Sequence, residues 1–104
     1  MILEINKENF KKEVLESDRK VIVDFWATWC NPCKMMHPVL EELDKDIGGK
    51  IKIGKINIDN DPELAAKFGV MSIPTFIVFK NGNVINSSVG MQTKEHLKEL
   101  LNEK

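Results

Sequence analysis

Apolar and polar positions along this chain fall into alternating blocks, each about as long as one strand or one helix. The apolar blocks predict five strands, at residues 2–5, 21–27, 51–58, 75–79 and 84–89. The block at residues 21–27 is almost continuously apolar, which is typical of a central strand that is covered on both faces. Asn81-Gly82 separates the last two blocks and is a strong signal for a β-hairpin.

The segments between these strands carry helix signals. The helix that opens at the Cys30–Cys33 pair has apolar residues at helical spacing and is predicted to end at Gly48-Gly49. Asn6, Asp61-Pro62 and Thr93 are predicted to begin the other helices. The resulting order, β-α-β-α-β-α-β-β-α, predicts an α/β fold with a central mixed sheet of about five strands flanked by about four helices. A single domain spanning residues 1–104 is expected.

Composition and charge narrow the function classes. The formal net charge of -1 and the lack of like-charge runs give no sign of nucleic-acid binding. The apolar blocks are far shorter than the roughly 18 residues that a membrane span requires, so no membrane association is expected. The first residues lack a basic region followed by an apolar one, so no signal peptide is predicted and a cytoplasmic location is expected.

The chain has only two cysteines, Cys30 and Cys33, and they follow the central strand. In a reducing compartment, cysteines with a two-residue spacer are catalytic or metal-binding rather than a structural link. A thiolate is the species that attacks a disulfide, and the helix N-terminus at Cys30 favours negative charge. We therefore predict that Cys30 attacks a substrate disulfide and that the deeper Cys33 resolves the mixed disulfide. Pro32 stiffens the loop between them.

Half of a zinc site is the alternative interpretation of the cysteine pair. Zinc normally takes four ligands, and a second Cys-x-x-Cys is absent from the sequence. His37 and His96 are candidate ligands, but His96 lies in the last predicted helix, far from the pair in such a fold. Redox chemistry is therefore favoured, with no metal and no bound cofactor, because the cysteine pair itself carries the electrons. His37 is predicted to be a helical histidine without a chemical task.

Several segments resemble the thioredoxin family, from one end of the chain to the other: Val23-Asp24-Phe25-Trp26-Ala27, Trp29-Cys30, Pro32-Cys33-Lys34 and Ile73-Pro74-Thr75. The resemblance implies the thioredoxin fold and a general protein dithiol–disulfide oxidoreductase, which we expect to be a monomer. It also implies that a thioredoxin reductase supplies electrons and that disulfide-containing proteins are the clients. The family usually has glycine in the position of Asn31, so Asn31 and Pro32 are expected to tune the redox potential.

Two charged residues are expected to support the cysteine pair. Asp24 interrupts the apolar central strand, and burial of its carboxyl group should raise its pKa. By resemblance to the family, Asp24 moves protons to or from Cys33 during resolution. Lys55 lies in phase with Ile51 and Ile53, so its stem should run along buried surface. Its counterpart in the family tunes the pKa of the buried aspartate, whereas the alternative is a solvated lysine at a strand end.

The resemblance also implies a surface for substrate, which we call the docking rim: Trp29, Ile73, Pro74, Gly90 and Met91. In the family, the residue pair that matches Ile73-Pro74 forms a cis-proline turn beside the disulfide, and such turns offer backbone groups to an incoming peptide. Gly90 leaves room for close backbone approach. Met91 adds adaptable, polarizable surface, or is an incidental exposed methionine.

Two other functions compete with a cytoplasmic reductase. One is a binding module that keeps the fold but does not use its thiols, and the intact cysteine motif together with Asp24 and Pro74 argues against it. The other is a dedicated oxidant of an extracytoplasmic compartment, which the missing signal sequence disfavours. Loss of catalytic disulfide reduction in Cys30→Ser would separate an enzyme from a binding module.

Overall fold

The computed structural model describes residues 1–102, whose centre is a five-stranded mixed sheet with the strand order β1-β3-β2-β4-β5. The strands are β1 (Ile2–Glu4), β2 (Val21–Trp26), β3 (Lys52–Asn57), β4 (Thr75–Lys80) and β5 (Asn83–Val89). The helices are α1 (Asn31–Ile47), α2 (Pro62–Lys67) and α3 (Lys94–Leu101), with a π-helix at Lys11–Leu15. The predicted α/β fold is confirmed.

The first predicted helix differs from the expectation. Asn6 caps this segment as predicted: its side-chain oxygen accepts from the backbone N–H groups of Glu8 and Asn9, at 2.9 and 3.0 Å, and its carbonyl oxygen accepts from the Phe10 N–H at 2.9 Å. The helix that follows is a π-helix, in which the Glu16 N–H donates to the Lys11 carbonyl oxygen five residues earlier, at 2.9 Å. The predicted helix is therefore present, but its hydrogen-bond spacing is not that of an ordinary α-helix.

The predicted hairpin is confirmed. Asn81 and Gly82 both have positive φ angles, 52° and 80°. A two-residue turn needs such angles at both positions to match the twist of its strands. The hairpin sets β5 antiparallel to β4 at the edge of the sheet.

Side chains of β2 alternate between two apolar layers. Val23 and Phe25 pack in a buried cluster with residues of the π-helix and α2, whereas Ile22 packs with residues of α1 and α3 on the other face. Asp24 shares the face of Ile22 because successive strand residues point to opposite faces. The central strand is therefore covered on both sides, as its continuous apolar sequence predicted.

Several chain segments meet at one edge of the sheet. The strands β1, β3 and β2 are parallel, so their carboxyl ends lie along the same edge. Because β4 runs antiparallel to β2 and β5 antiparallel to β4, the start of β4 and the end of β5 lie there too. Open α/β sheets typically bind their ligands at this edge.

Candidate active site

The cysteine pair lies at the junction of β2 and α1, at the edge of the sheet that holds the carboxyl ends of the parallel strands. Cys30 and Cys33 form a disulfide, with their Cα atoms 5.3 Å apart. Cys30 is the N-cap of α1, and its Sγ accepts from the backbone N–H of Cys33 at 3.2 Å. After reduction, the same N–H and the N-terminus of α1 favour a thiolate at Cys30. Cys33 is fully buried and Cys30 is 5% exposed.

Asn31 and Pro32 occupy the first turn of α1 and are both exposed. The Pro32 ring fits at this position because a helix leaves the first N–H groups without intrahelical partners. Within residues 1–102 the side chain of Asn31 makes no hydrogen bond. Any influence of Asn31 on the pair therefore acts through the loop backbone or through solvent.

The turn before β4 packs beside the disulfide. The peptide bond between Ile73 and Pro74 is cis, and the carbonyl oxygen of Ile73 lies 3.9 Å from the Cys30 sulfur. The Pro74 carbonyl accepts from the backbone N–H of Gly90 at 2.7 Å, which joins the end of β5 to this turn. Gly90 has a φ of 93°, a conformation that side chains disfavour, so glycine is required here.

Two exposed apolar side chains lie on segments near the disulfide. Trp29 directly precedes Cys30 and is 65% exposed, and Met91 follows Gly90, whose N–H bonds to the Pro74 carbonyl, and is 50% exposed. A groove beside Trp29 is lined by Trp29, Ile58, Val70, Met71, Ser72 and Ile73. Exposed apolar surface of this kind, next to a reactive group, suits the docking of an extended peptide.

Asp59 is a site neighbour that the sequence interpretation missed. Its Oδ2 accepts from the indole Nε1–H of Trp29 at 2.9 Å. This hydrogen bond joins the loop that leads into the cysteine pair to the loop that follows β3. The predicted topology could have indicated this neighbour. Asp59 comes two residues after β3, and the carboxyl ends of β3 and β2 lie at the same edge of the sheet.

Asp24 is unusual because its carboxyl group is buried. The residue is 1% exposed, and within the described residues neither of its carboxyl oxygens has a hydrogen-bond partner. Burial raises the pKa of Asp24 to about 7, and the positive charge of Lys55 opposes this shift. A carboxyl group with a pKa near neutrality can both hold and release a proton at the pH of most cells.

Lys55 lies beside Asp24 on the neighbouring strand, but its ammonium group contacts His37 and Trp26. The two residues are paired in the register of β2 and β3. The Lys55 Nζ lies 2.5 Å from Nδ1 and 3.3 Å from Nε2 of His37, and 4.3 Å from the ring centroid of Trp26. Burial lowers the pKa of Lys55, and the charges of Asp24, Glu4 and Glu41 oppose that shift.

His37 therefore belongs to the surroundings of the site, although the sequence assigned it no chemical task. Its ring packs edge-on against Trp26, with the centroids 5.3 Å apart. Burial and then the charge of Lys55 lower its pKa, while Glu41 opposes them. The signal in the sequence was the four-residue spacing from Cys33, which places both side chains on a similar face of α1.

Among residues 1–102, no group of three or more His, Cys, Asp and Glu side chains is arranged to hold a metal ion. In the same part of the chain, none of the helices has the length and apolar character to cross a membrane. The reactive groups described above are the cysteine pair, the buried carboxyl group of Asp24 and the partly buried ammonium group of Lys55.

Comparisons with known proteins agree with this geometry. The thioredoxin family model matches residues 1–103. A thioredoxin of Bacillus subtilis (strain 168) is 52% identical over 101 residues, covering 97% of this chain and 95% of the relative. A thioredoxin of Rickettsia felis is 47% identical over 98 residues, covering 94% and 93%. One of Rickettsia conorii is 49% identical over 94 residues, covering 90% of each chain.

Proposed function

Because this chain belongs to the thioredoxin family and is a dithiol–disulfide oxidoreductase, we propose that it reduces disulfides in protein clients of the cytoplasm. A thioredoxin reductase would return the oxidised pair to the dithiol. The observation that carries the proposal is the disulfide between Cys30 and Cys33 at the N-terminus of α1, a few residues beyond a buried carboxyl group. A reducing compartment fits this role, since it keeps the working form a dithiol.

The proposed reaction uses both cysteines in sequence. The Cys30 thiolate attacks one sulfur of the client disulfide, and the other client sulfur leaves as a thiolate. The resulting mixed disulfide is then attacked by the Cys33 sulfur at the Cys30 sulfur. The second client sulfur leaves, so the client gains two electrons and becomes a dithiol while Cys30 and Cys33 become a disulfide. No bound cofactor takes part, because the pair carries both electrons.

Asp24 is the proposed proton carrier for the second step. Cys33 is fully buried, so its thiol has no direct access to solvent and needs a base inside the protein. The carboxyl group of Asp24 is buried, has no hydrogen-bond partner among residues 1–102 and has a pKa of about 7, which suits acceptance of that proton near neutral pH. Lys55 is proposed to tune this group through its charge, which favours the carboxylate.

Client binding is proposed to occur on the docking rim. The hydrogen bond from Gly90 to the Pro74 carbonyl and the closeness of Ile73 to the Cys30 sulfur hold this surface beside the reacting bond. Trp29 and Met91 supply exposed apolar contacts. An extended client segment would lie along the cis-proline turn with its disulfide over Cys30.

The proposal also covers the active-site motif, the oligomeric state and the domain organisation of the chain. We take Cys30-Asn31-Pro32-Cys33 as the active-site motif, with Asn31 and Pro32 tuning the redox potential through the loop. The chain is proposed to act as a monomer whose residues 1–104 form one domain.

Catalytic reduction of a protein disulfide tests the proposal. With NADPH and a bacterial thioredoxin reductase, wild-type protein should reduce insulin over many turnovers, whereas Cys30→Ser should lose this activity. Ser87→Ala, on the exposed strand β5, is the matched control and should keep it. No catalytic reduction of insulin by the wild-type protein would contradict the proposal and favour a binding module. Reduction by Cys30→Ser at the wild-type rate would contradict the assignment of Cys30 as the attacking cysteine.

A further inference from the structure

The ammonium group of Lys55 is hydrogen-bonded to His37 and not to Asp24, its neighbour in the sheet. In the register of β2 and β3, Lys55 lies opposite Asp24. The positive charge of Lys55 lowers the pKa of the Asp24 carboxyl group. Both oxygens of that carboxyl group nevertheless lack a hydrogen-bond partner within residues 1–102. The ammonium group instead contacts the ring nitrogens of His37.

The position of the ammonium group follows from the residues around it. Trp26 lies two residues after Asp24 on the same face of β2, nearer the carboxyl end of the strand. The Lys55 Nζ is 4.3 Å from the centroid of the Trp26 ring, so the charge is displaced along the strand toward that end. His37 contacts the ammonium group from α1, and its ring packs against Trp26.

We propose that His37 is a positioning residue: by accepting a hydrogen bond from the Lys55 ammonium group, it holds that charge over Trp26 and weakens its pairing with Asp24. A neutral imidazole accepts through one ring nitrogen, so the contact needs His37 in its uncharged form. Removal of the acceptor frees the ammonium group to approach Asp24, whose charge acts on the pKa of Lys55 more strongly than those of Glu4 and Glu41.

Charged groups from three elements face this pair. Glu41 lies one turn after His37 on α1, Asp24 lies on β2, and Glu4 is paired with Lys55 from β1. The pKa of His37 is lowered by burial and by Lys55, with Glu41 opposing both, so the ring is neutral at pH 7. Protonation of His37 at lower pH abolishes the acceptor and repels the ammonium group.

The inference deepens the proposed role of Asp24 as a proton carrier, and its consequence for the reaction rests on that role. A weaker pairing with Lys55 leaves Asp24 more often protonated near neutral pH. The midpoint of the Asp24 titration reports this directly and does not depend on turnover. Failure of the proposed function would appear separately, as a wild-type protein that does not reduce insulin.

Titration of the Asp24 carboxyl carbon by 13C NMR, in the oxidised protein, tests the inference. His37→Phe keeps an aromatic ring against Trp26 but removes the acceptor. We expect its Asp24 midpoint to fall by about one pH unit, the lower end of the effect of an opposite charge within about 4–6 Å. His37→Asn places an amide oxygen near the position of Nδ1 and should return the midpoint toward the wild-type value.

A double-mutant cycle with Lys55→Met separates positioning from general packing. On the Lys55→Met background, His37→Phe should leave the Asp24 midpoint unchanged, because the histidine acts through the lysine. A midpoint in His37→Phe that stays or rises would overturn the inference. The same holds if His37→Asn behaves like His37→Phe, or if the shift persists without Lys55.

Discussion

At the scale of single residues, the buried carboxyl group of Asp24 makes the stability of the protein depend on pH. The unfolded chain holds this carboxyl group at a pKa of 3.8, and the folded chain at about 7. As the pH rises from about 4 to about 7, the unfolded state loses its proton first, so the free energy of unfolding decreases. At roughly 1.4 kcal/mol for each pH unit, the full loss is on the order of 4 kcal/mol and is complete above pH 7.

Asp24→Asn removes this ionisation. We expect the substitution to raise the free energy of unfolding by about 1–3 kcal/mol at pH 8, less than the full loss because the buried amide also lacks partners. The gain should nearly vanish at about pH 3, below both pKa values, where both states hold the proton. Resolution of the mixed disulfide should slow by about 100-fold, the lower end of what general acid–base catalysis contributes. Denaturant titrations at the two pH values and stopped-flow reduction measure these effects.

Asp61→Asn is the matched control for this prediction. Asp61 is also buried, but its Oδ1 accepts from the backbone N–H of Lys7 at 3.1 Å. An amide oxygen can keep that bond, so neither a pH-dependent gain in stability nor a slower resolution step is expected. A loss of stability in Asp24→Asn at pH 8 would argue against an unpartnered carboxylate.

At the scale of elements, the loops after β2 and β3 are joined by the hydrogen bond between Trp29 and Asp59. Asp59→Ala should free the indole and raise the KM for a protein client about 2- to 10-fold, the range of one lost hydrogen bond. Reduction of a small aromatic disulfide, which does not need the docking rim, should change little.

Asn60→Ala is the control for that substitution, since Asn60 is the next exposed residue of the same loop. Its KM should remain at the wild-type value in steady-state assays with insulin. An equal increase in Asn60→Ala would assign the effect to the loop as a whole rather than to the contact with Trp29.

The positions of the elements were predictable from the sequence, and the type of the first helix was not. The strand at residues 21–27 and the hairpin at Asn81-Gly82 follow from apolar content and turn chemistry, and the structure has both. The π-helix at Lys11–Leu15 does not, because the Asn6 cap indicates where a helix starts but not the spacing of the hydrogen bonds within it.

At the scale of the whole molecule, the strand order brings together residues that are far apart in sequence. Parallel pairing of β2 with β3 and antiparallel pairing of β2 with β4 bring the Cys30 loop, the Pro74 turn and Asp59 to one edge. The alternation of elements predicted such a sheet, and the family resemblance named most residues at this edge. The contacts of His37 with Lys55 and of Trp29 with Asp59 depend on side-chain directions that no sequence pattern carries.

Capture of the reaction intermediate tests the central claim, that Cys30 attacks and Cys33 resolves. Reduced Cys33→Ser is mixed with an oxidised protein disulfide and analysed by non-reducing mass spectrometry and peptide mapping. We predict a stable mixed disulfide at Cys30, released by dithiothreitol, and little adduct with Cys30→Ser because Cys33 is buried. No adduct with Cys33→Ser, or equally rapid capture through Cys33 in Cys30→Ser, would contradict the account.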